Sequence, residues 1–406
     1  MNKEALREFQ LQMGRELTSN ILPFWMTHAV DLENGGFFGK IDGIGRVIED
    51  ADKGGVLNAR ILWTFSASYN SLGNKEYLAM AERSKEYSIC YFFDKKYKGT
   101  YWRIAFDGKV SDSKKQIYSQ AFFIYGLSEY YKATRDNKVL EKCWELFRLI
   151  EEKSFDLKQN GYLEAFSREW DLLEDLRLSN KDANEKKTTN THLHILEAYT
   201  NLYMVTKNPE IAERLRNLVN LFLDKIVDRN SKHLLLFFDE SWNSKSTLIS
   251  YGHDIEASWL LYEAAKILSD GELLKKARPL CIELAKASLE GLQPDGSMIY
   301  EKDDAAGIFD TDRHWWPQAE TIIGLLNLAE LTGDDQYLQK AIKCWNYISN
   351  NLIDHNKGEW YWSIRNGKPN LEDDKAGFWK CPYHNARACL EIMKRAEKLL
   401  NELNVA

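Results

Sequence analysis

Apolar residues recur at i, i+3, i+4 and i+7 through paired stretches, such as Val56 to Leu72 with Tyr77 to Phe92 and Trp316 to Leu331 with Gln336 to Leu352. That spacing predicts helices with one buried face. Turn signals, Leu72-Gly73-Asn74 and Thr332-Gly333-Asp334-Asp335, separate the members of each pair. Between pairs lies a short aromatic segment marked by glycine. It reads Asn34-Gly35-Gly36-Phe37-Phe38, Lys98-Gly99-Thr100-Tyr101-Trp102, Asn160-Gly161-Tyr162-Leu163, Asp295-Gly296-Ser297 and Lys357-Gly358-Glu359-Trp360-Tyr361-Trp362. Each copy predicts a hairpin-like pair of extended strands. Gly36 to Gly99 is 63 residues, Gly99 to Gly161 is 62 and Gly296 to Gly358 is 62. Gly161 to Gly296 is 135, about two periods, and His233 to Glu240 reads as the intervening copy, without its glycine. Six copies predict twelve helices in six pairs. The N-terminal helix then pairs with the C-terminal one, Pro382 to Asn401. The expected fold is all-α: one (α/α)6 barrel spanning residues 1–406 as a single catalytic domain, with short β-hairpins at one mouth. An open helical solenoid is the structural alternative.

The helix that follows each hairpin opens with polar residues. Helix two begins near Val56 and carries Arg60, and helix four begins near Lys115 and carries Tyr118. Helix six begins near Lys187 and carries Asn190 and His194. Helix eight opens Tyr251-Gly252-His253-Asp254-Ile255-Glu256, and helix ten opens His314-Trp315-Trp316 and carries Glu320. Helix twelve opens Trp379-Lys380-Cys381-Pro382-Tyr383-His384 and carries Arg387. In a closed barrel these first turns share one mouth. Asn190/His194, His253/Glu256, Glu256/Trp259, Trp316/Glu320 and His384/Arg387 are spaced to share a helix face. Polar groups on otherwise apolar inner helices must converge on something. His28, His192, His233 and His355 fall outside this pattern and are expected to be structural.

Composition narrows the chemistry. Lys plus Arg is 54 and Asp plus Glu is 61, a net charge of −7, which excludes a nucleic-acid partner built on a basic surface. No apolar run approaches the roughly 18 residues of a membrane span, and the charged N-terminus has no signal-peptide core. A cytoplasmic protein without membrane partners is the expectation. The six cysteines are scattered, which predicts no disulfide framework. Aromatic residues make up 13% and include 13 tryptophans, which suits core packing and also stacking on the C–H faces of sugars.

Four chemistries compete for the polar set. A metal site could use His253, Glu256 and another histidine, but no H-E-x-x-H or His/Cys cluster supports it. A nucleotide cofactor would call for a G-x-G-x-x-G after a strand, which is absent. A glycoside hydrolase would need two opposed carboxylates, with Glu256, Glu320 and Asp182 as candidates. Proton abstraction beside a carbonyl fits best. Two imidazoles on opposite sides of a carbon can remove and return a proton. Arg60, Tyr118, Asn190 or Arg387 would stabilise the enediolate. A sugar-binding barrel without turnover is the non-enzymatic alternative.

Six segments carry a resemblance. They are Ile21-Leu22-Pro23-Phe24-Trp25, Asn58-Ala59-Arg60-Ile61-Leu62-Trp63, Lys187 to His194 (KTTNTHLH), Ser250 to Trp259 (SYGHDIEASW), Trp315 to Glu320 (WWPQAE) and Trp379 to Arg387 (WKCPYHNAR). Together they resemble the N-acylglucosamine 2-epimerase superfamily, and within it the cellobiose 2-epimerases, from about Ile21 to Lys394. The resemblance implies the (α/α)6 barrel and epimerisation at C2 of the reducing-end sugar of β-1,4-linked disaccharides, without metal or cofactor. It implies that His253 and His384 are the acid/base pair at C2, acting through a cis-enediolate, and that His194 aids ring opening. Arg60, Tyr118 and Asn190 would surround the reacting oxygens. Glu256 would orient an imidazole or bind hydroxyls, Trp316 and Trp379 would stack on sugar, and Asp182 and Arg387 would make polar contacts. Trp259 and Glu320 complete the substrate-binding set. Lys181 to Lys186 is expected to form a mobile rim loop. Asp303 to Asp312 and Asn366 to Phe378 are expected to meet the distal sugar. A mannose 2-epimerase or aldose–ketose isomerase acting on free sugar is the nearest alternative, and a monomer or weak homodimer is expected.

Overall fold

The structure, a computed structural model, describes residues 2–405. Twelve long helices among these residues carry the chain: α1 (Lys3–Glu16), α2 (Gly55–Leu72), α3 (Lys75–Tyr91), α4 (Ile117–Thr134), α5 (Asn137–Leu149), α6 (Thr189–Thr206), α7 (Pro209–Leu221), α8 (Tyr251–Ile267), α9 (Gly271–Ser288), α10 (Trp315–Thr332), α11 (Asp335–Tyr347) and α12 (Tyr383–Val405). The even-numbered helices form an inner ring, each packed on the next, and α12 closes on α2. Each odd-numbered helix packs outside its partner, with α1 against α12. That closure makes an (α/α)6 barrel and removes the open solenoid.

Outer and inner helices begin differently, and the sequence shows why. The six outer helices start at Asn2, Asn74, Asp136, Asn208, Asp270 and Asp334, whose side chains accept backbone N–H bonds from the first turn. These are strong N-caps. The inner helices other than α12 start directly from short strands, which is why α4 and α6 begin at Ile117 and Thr189. The residues just before them, Lys115-Gln116 and Lys187-Thr188, pair as strands with Ala165-Phe166 and Phe237-Phe238.

All six copies form antiparallel bridges, pairing Val30 with Phe37, Phe93 with Thr100, Phe155 with Tyr162, Val227 with Leu234, Leu292 with Met298 and Ile353 with Trp360. In the fourth copy Lys232 takes the left-handed conformation at φ 66°. At Gly161 a Cβ would sit 2.3 Å from the Trp242 ring, so close approach requires glycine there. Buried lysines tie four copies to neighbouring strands or loops: Lys53 to Asp31 at 2.7 Å, Lys115 to Asp94 at 3.0 Å, Lys187 to Asp156 at 2.8 Å, and Lys375 to Asp354.

The fourth residue of four inner helices then clamps a hairpin. Gln120, His192, Asp254 and Gln318 accept the backbone N–H of Thr100, Tyr162, Leu234 and Met298. His192 therefore turns outward, as helical phase predicts. Its Nδ1 lies 2.7 Å from the Thr188 carbonyl and its Nε2 accepts from Tyr162 at 2.9 Å. Burial pushes its pKa down to about 4. The unfolded chain takes a proton near pH 6.5 that the folded chain refuses, so this histidine's stabilisation is present above that pH and is lost as pH falls toward 4. His192→Ala is expected to cost about 2–5 kcal/mol at pH 7, because two buried backbone groups lose partners. It should also flatten the acid side of the melting curve and leave kcat unchanged. Thermal melts between pH 5 and 8 check this, and an unaltered melting temperature would refute the clamp.

Of the cysteines, Cys90 is exposed and the other five are buried, all with free thiols. Among the described residues no helix is long and apolar enough to cross a membrane.

Candidate active site

Because the clamp residue points outward, residues two positions away along the same helix, about 200° around it, point toward the barrel axis. Two positions after the clamp, α4, α6, α8 and α10 supply Phe122, His194, Glu256 and Glu320, and at the equivalent place α2 supplies Arg60, two after Asn58, and α12 supplies Arg387, two after Asn385. All six are buried. Two positions before it come Tyr118, Asn190 and Trp316, while His253 and His384 stand one before. This stacking by height turns six helix starts into one site.

The site opens into a cavity of about 400 Å³, a size suited to a small molecule. Of the residues singled out from the sequence, Arg60, Tyr118, Asp182, Asn190, His194, His253, Glu256, Trp316, Trp379 and His384 line it. Trp259, Glu320 and Arg387 are not among the residues that line it. They sit one helical turn deeper than Glu256, Trp316 and His384 and hold those groups in place.

That support is a buried charge network around one guanidinium. Arg387 donates through Nη2 to Glu256 at 2.5 Å and Glu320 at 2.6 Å, and through Nη1 to Glu197. The Tyr383 hydroxyl also donates to Glu197. Trp259 Nε1 donates to the other Glu320 oxygen at 3.1 Å, and the Arg387 guanidinium lies 4.9 Å from the Trp259 ring. On the opposite wall Arg60 donates to the Tyr118 hydroxyl at 2.8 Å and lies over Phe122 at 4.1 Å.

Three of the four cavity histidines, His194, His253 and His384, are held through Nδ1. His384 meets Glu320 at 2.7 Å, His194 meets Glu197 at 3.0 Å and His253 meets Ser250 Oγ at 2.8 Å. Each is left with Nε2 for the cavity. The Trp316 ring contacts both other walls, with centroids 4.8 Å from His253 and 5.7 Å from His384. Burial pushes the His253 pKa down to about 3, aided by His194. Burial, then Arg60 and Arg387, put His384 well below its ordinary value. Both are therefore neutral imidazoles near pH 7. Glu256 goes the other way, raised to about 7 by burial and then by Glu320.

Glu256, Glu320 and His384 offer ligand atoms close enough to share a metal ion. The Arg387 guanidinium already stands between the two carboxylates, and its fixed charge opposes a second cation there.

The rim is built by loops. Lys181, Asp182, Ala183 and Glu185 line the cavity, and Asp182 is held by the Ser179 N–H at 2.7 Å and hydroxyl at 2.9 Å. Tyr300 stacks on His314 with centroids 4.0 Å apart, beside Glu301 and Asp310. The segment Asn366 to Phe378 contributes no residue to the cavity lining. It lies instead against the first hairpin region, where Ile41 N–H donates to the Ala376 carbonyl at 2.7 Å. Trp362 and Trp379, on either side of it, do line the cavity. Sequence reasoning missed Glu197, although it stands three residues after His194, the same spacing that links His253 to Glu256. It also missed Tyr300 and Glu301, which sit on an irregular loop and a short strand with no helical phase to expose them.

The sequence profile for N-acylglucosamine 2-epimerase (GlcNAc 2-epimerase) matches residues 36–388. A cellobiose 2-epimerase of Bacteroides fragilis is 53% identical over 94% of this chain and 98% of its own. The structure of cellobiose 2-epimerase from Bacillus thermoamylovorans B4167 superposes with a TM-score of 0.92 at 41% identity, covering 96% of this chain and all of that one. A D-mannose isomerase structure, at 21% identity and a TM-score of 0.83, shares the fold.

Proposed function

The chain belongs to the N-acylglucosamine 2-epimerase family, and we propose that it inverts C2 of the reducing-end sugar of β-1,4-linked disaccharides such as cellobiose. It is a carbohydrate isomerase of the epimerase kind, acting on a small sugar. The observation that carries the finer reading is the pair of neutral imidazoles, His253 and His384, facing one cavity across Trp316. The identity to cellobiose 2-epimerases supports the disaccharide as substrate.

In this reading His194 and the Arg60–Tyr118 pair help open the sugar ring. Opening exposes a C1 carbonyl that acidifies the C2 proton. One neutral imidazole takes that proton through Nε2, giving a cis-enediolate. Arg60, Tyr118 and Asn190, whose buried Oδ1 lacks a protein partner, meet the reacting oxygens. Rotation about C2–C3 presents the other face, the second imidazole relays a solvent proton to it, and the first imidazolium gives up its proton to solvent. Trp316 and Trp379 stack on sugar. Tyr300, His314, Glu301 and Asp182 form a polar and aromatic rim suited to the second ring. The step uses these side chains alone.

Proton NMR of the protein with cellobiose in deuterated water, beside a mannose sample, tests it. Glucosyl-mannose with deuterium at C2 is the expected product. Turnover of mannose alone would move the assignment to a free-sugar enzyme. Release of glucose would mean hydrolysis and overturn the proposal.

A further inference from the structure

Glu197 takes no part in the scheme above, yet it is buried and makes three charge-assisted contacts. Its Oε1 accepts from both the Tyr383 hydroxyl and Arg387 Nη1, while its Oε2 meets only His194 Nδ1. Burial alone would raise its pKa. Arg387 and the His194 hydrogen bond outweigh burial and hold it at about 2. An ionised carboxylate can only accept. The 3.0 Å contact therefore places a proton on His194 Nδ1 and, in the neutral ring, a lone pair on Nε2.

The ring's orientation is fixed as well. Tyr118 packs edge-on at 5.0 Å between centroids and Phe122 lies at 4.8 Å. From these contacts we infer that Glu197 is a positioning residue that sets the tautomer of His194, so that a proton-accepting Nε2 faces the open sugar mouth. This rests on the epimerase reading for what the lone pair does, namely taking the proton of the O1 hydroxyl as the ring opens. The O1–H bond breaks to give the C1 carbonyl, and the ring oxygen, leaving C1, takes a proton from solvent. The tautomer itself does not depend on that reading.

The division of labour between the two oxygens supplies the test. In Glu197→Gln the amide oxygen can stay at the Oε1 position, accepting from Tyr383 and Arg387 as before. The amide nitrogen then falls at the Oε2 position and donates to Nδ1, which drives the proton to Nε2. The same substitution at Glu320 has no such solution. There one oxygen serves His384 and Arg387 while the other serves Trp259, so an amide nitrogen at either position confronts an obligate donor.

The experiment is imidazole nitrogen NMR on the full chain labelled with [15N]histidine, with His194→Ala to assign the resonance and no sugar present. Wild type should show a protonated Nδ1 and a pyridine-like Nε2 at His194, and Glu197→Gln should exchange them. Epimerisation kcat should fall about 10²-fold or more in Glu197→Gln, with KM little changed and the melting temperature within a few degrees of wild type. A His194 already protonated on Nε2 in wild type would overturn the inference. So would a Glu197→Gln variant that keeps the wild-type tautomer. An exchanged tautomer with kcat unaltered would refute the catalytic use of the lone pair. If wild type does not epimerise at all, the sugar assignment fails while the nitrogen spectra still judge the tautomer.

Discussion

Replacing His384 by alanine is expected to lower kcat for cellobiose epimerisation by about 10²–10⁴-fold, the range for removing a positioned acid or base. His253→Ala should do the same. The more telling result is in the isotope. Two bases on opposite faces serve opposite epimers. With one removed, the other can still take the C2 proton of the epimer whose proton it faces and return a deuteron to the same face. Each variant is therefore expected to exchange C2 of one epimer with deuterated solvent without inverting it, and the two variants should choose opposite epimers. The two histidines also differ in support. His384 leans on the Glu320 carboxylate at 2.7 Å and His253 on the Ser250 hydroxyl at 2.8 Å. A carboxylate stabilises the imidazolium more than a hydroxyl does, so loss of His384 should be the more damaging. Proton NMR of each variant with cellobiose and with glucosyl-mannose in deuterated water decides it. Full epimerisation by both variants would refute the two-base mechanism. Loss of all exchange with both sugars in both variants would move the histidines to ring opening instead.

Much of this arrangement is legible in the sequence because the fold repeats. A period of 62 or 63 residues fixes six copies, and six helix pairs with a partnerless first helix must close. The inner-helix starts follow from the hairpins, and helical phase then brings His194, His253, Glu256 and His384 to one mouth. Helical phase cannot give depth. Trp316 and Glu320 share a face, yet only the first reaches the cavity, because the second stands a turn further into the barrel. Trp259, Glu320 and Arg387 stand outside the cavity lining for that reason. Nor does phase say which carboxylates meet which cation, since Glu197, Glu256 and Glu320 come from three helices and converge on α12. The rim is least legible. Asn366 to Phe378 has the polar look of a binding loop, but Lys375 and Ala376 pair with Ile41 and Lys368-Pro369 pairs with Ile364-Arg365. Tyr300 carries no periodic signal and still stacks in the wall.

Arg387→Met should produce the largest loss of stability. The guanidinium neutralises three buried carboxylates, Glu197, Glu256 and Glu320, and lies 4.4 Å from the Tyr383 ring and 4.9 Å from the Trp259 ring. Methionine can fill much of the aliphatic volume but leaves the carboxylates without a counter-charge. Breaking a buried pair in this way costs about 3–5 kcal/mol. The pH dependence should separate lost charge from lost packing. Without Arg387 the three carboxyls are expected to hold protons in the folded state to well above the unfolded glutamate value of about 4.3. A group whose folded pKa is raised stabilises below the unfolded pKa and loses that contribution as pH climbs through the folded one. The deficit relative to wild type should therefore be small at pH 5 and grow toward pH 8. His192 and His253 resist protonation when folded in both proteins, so their acid-side loss cancels from the deficit. Urea unfolding of both proteins at pH 5, 6.5 and 8 reads this directly. A deficit equal at all three values would mean that Arg387 contributes shape alone, and Trp259 would then be the group that anchors Glu320 against His384.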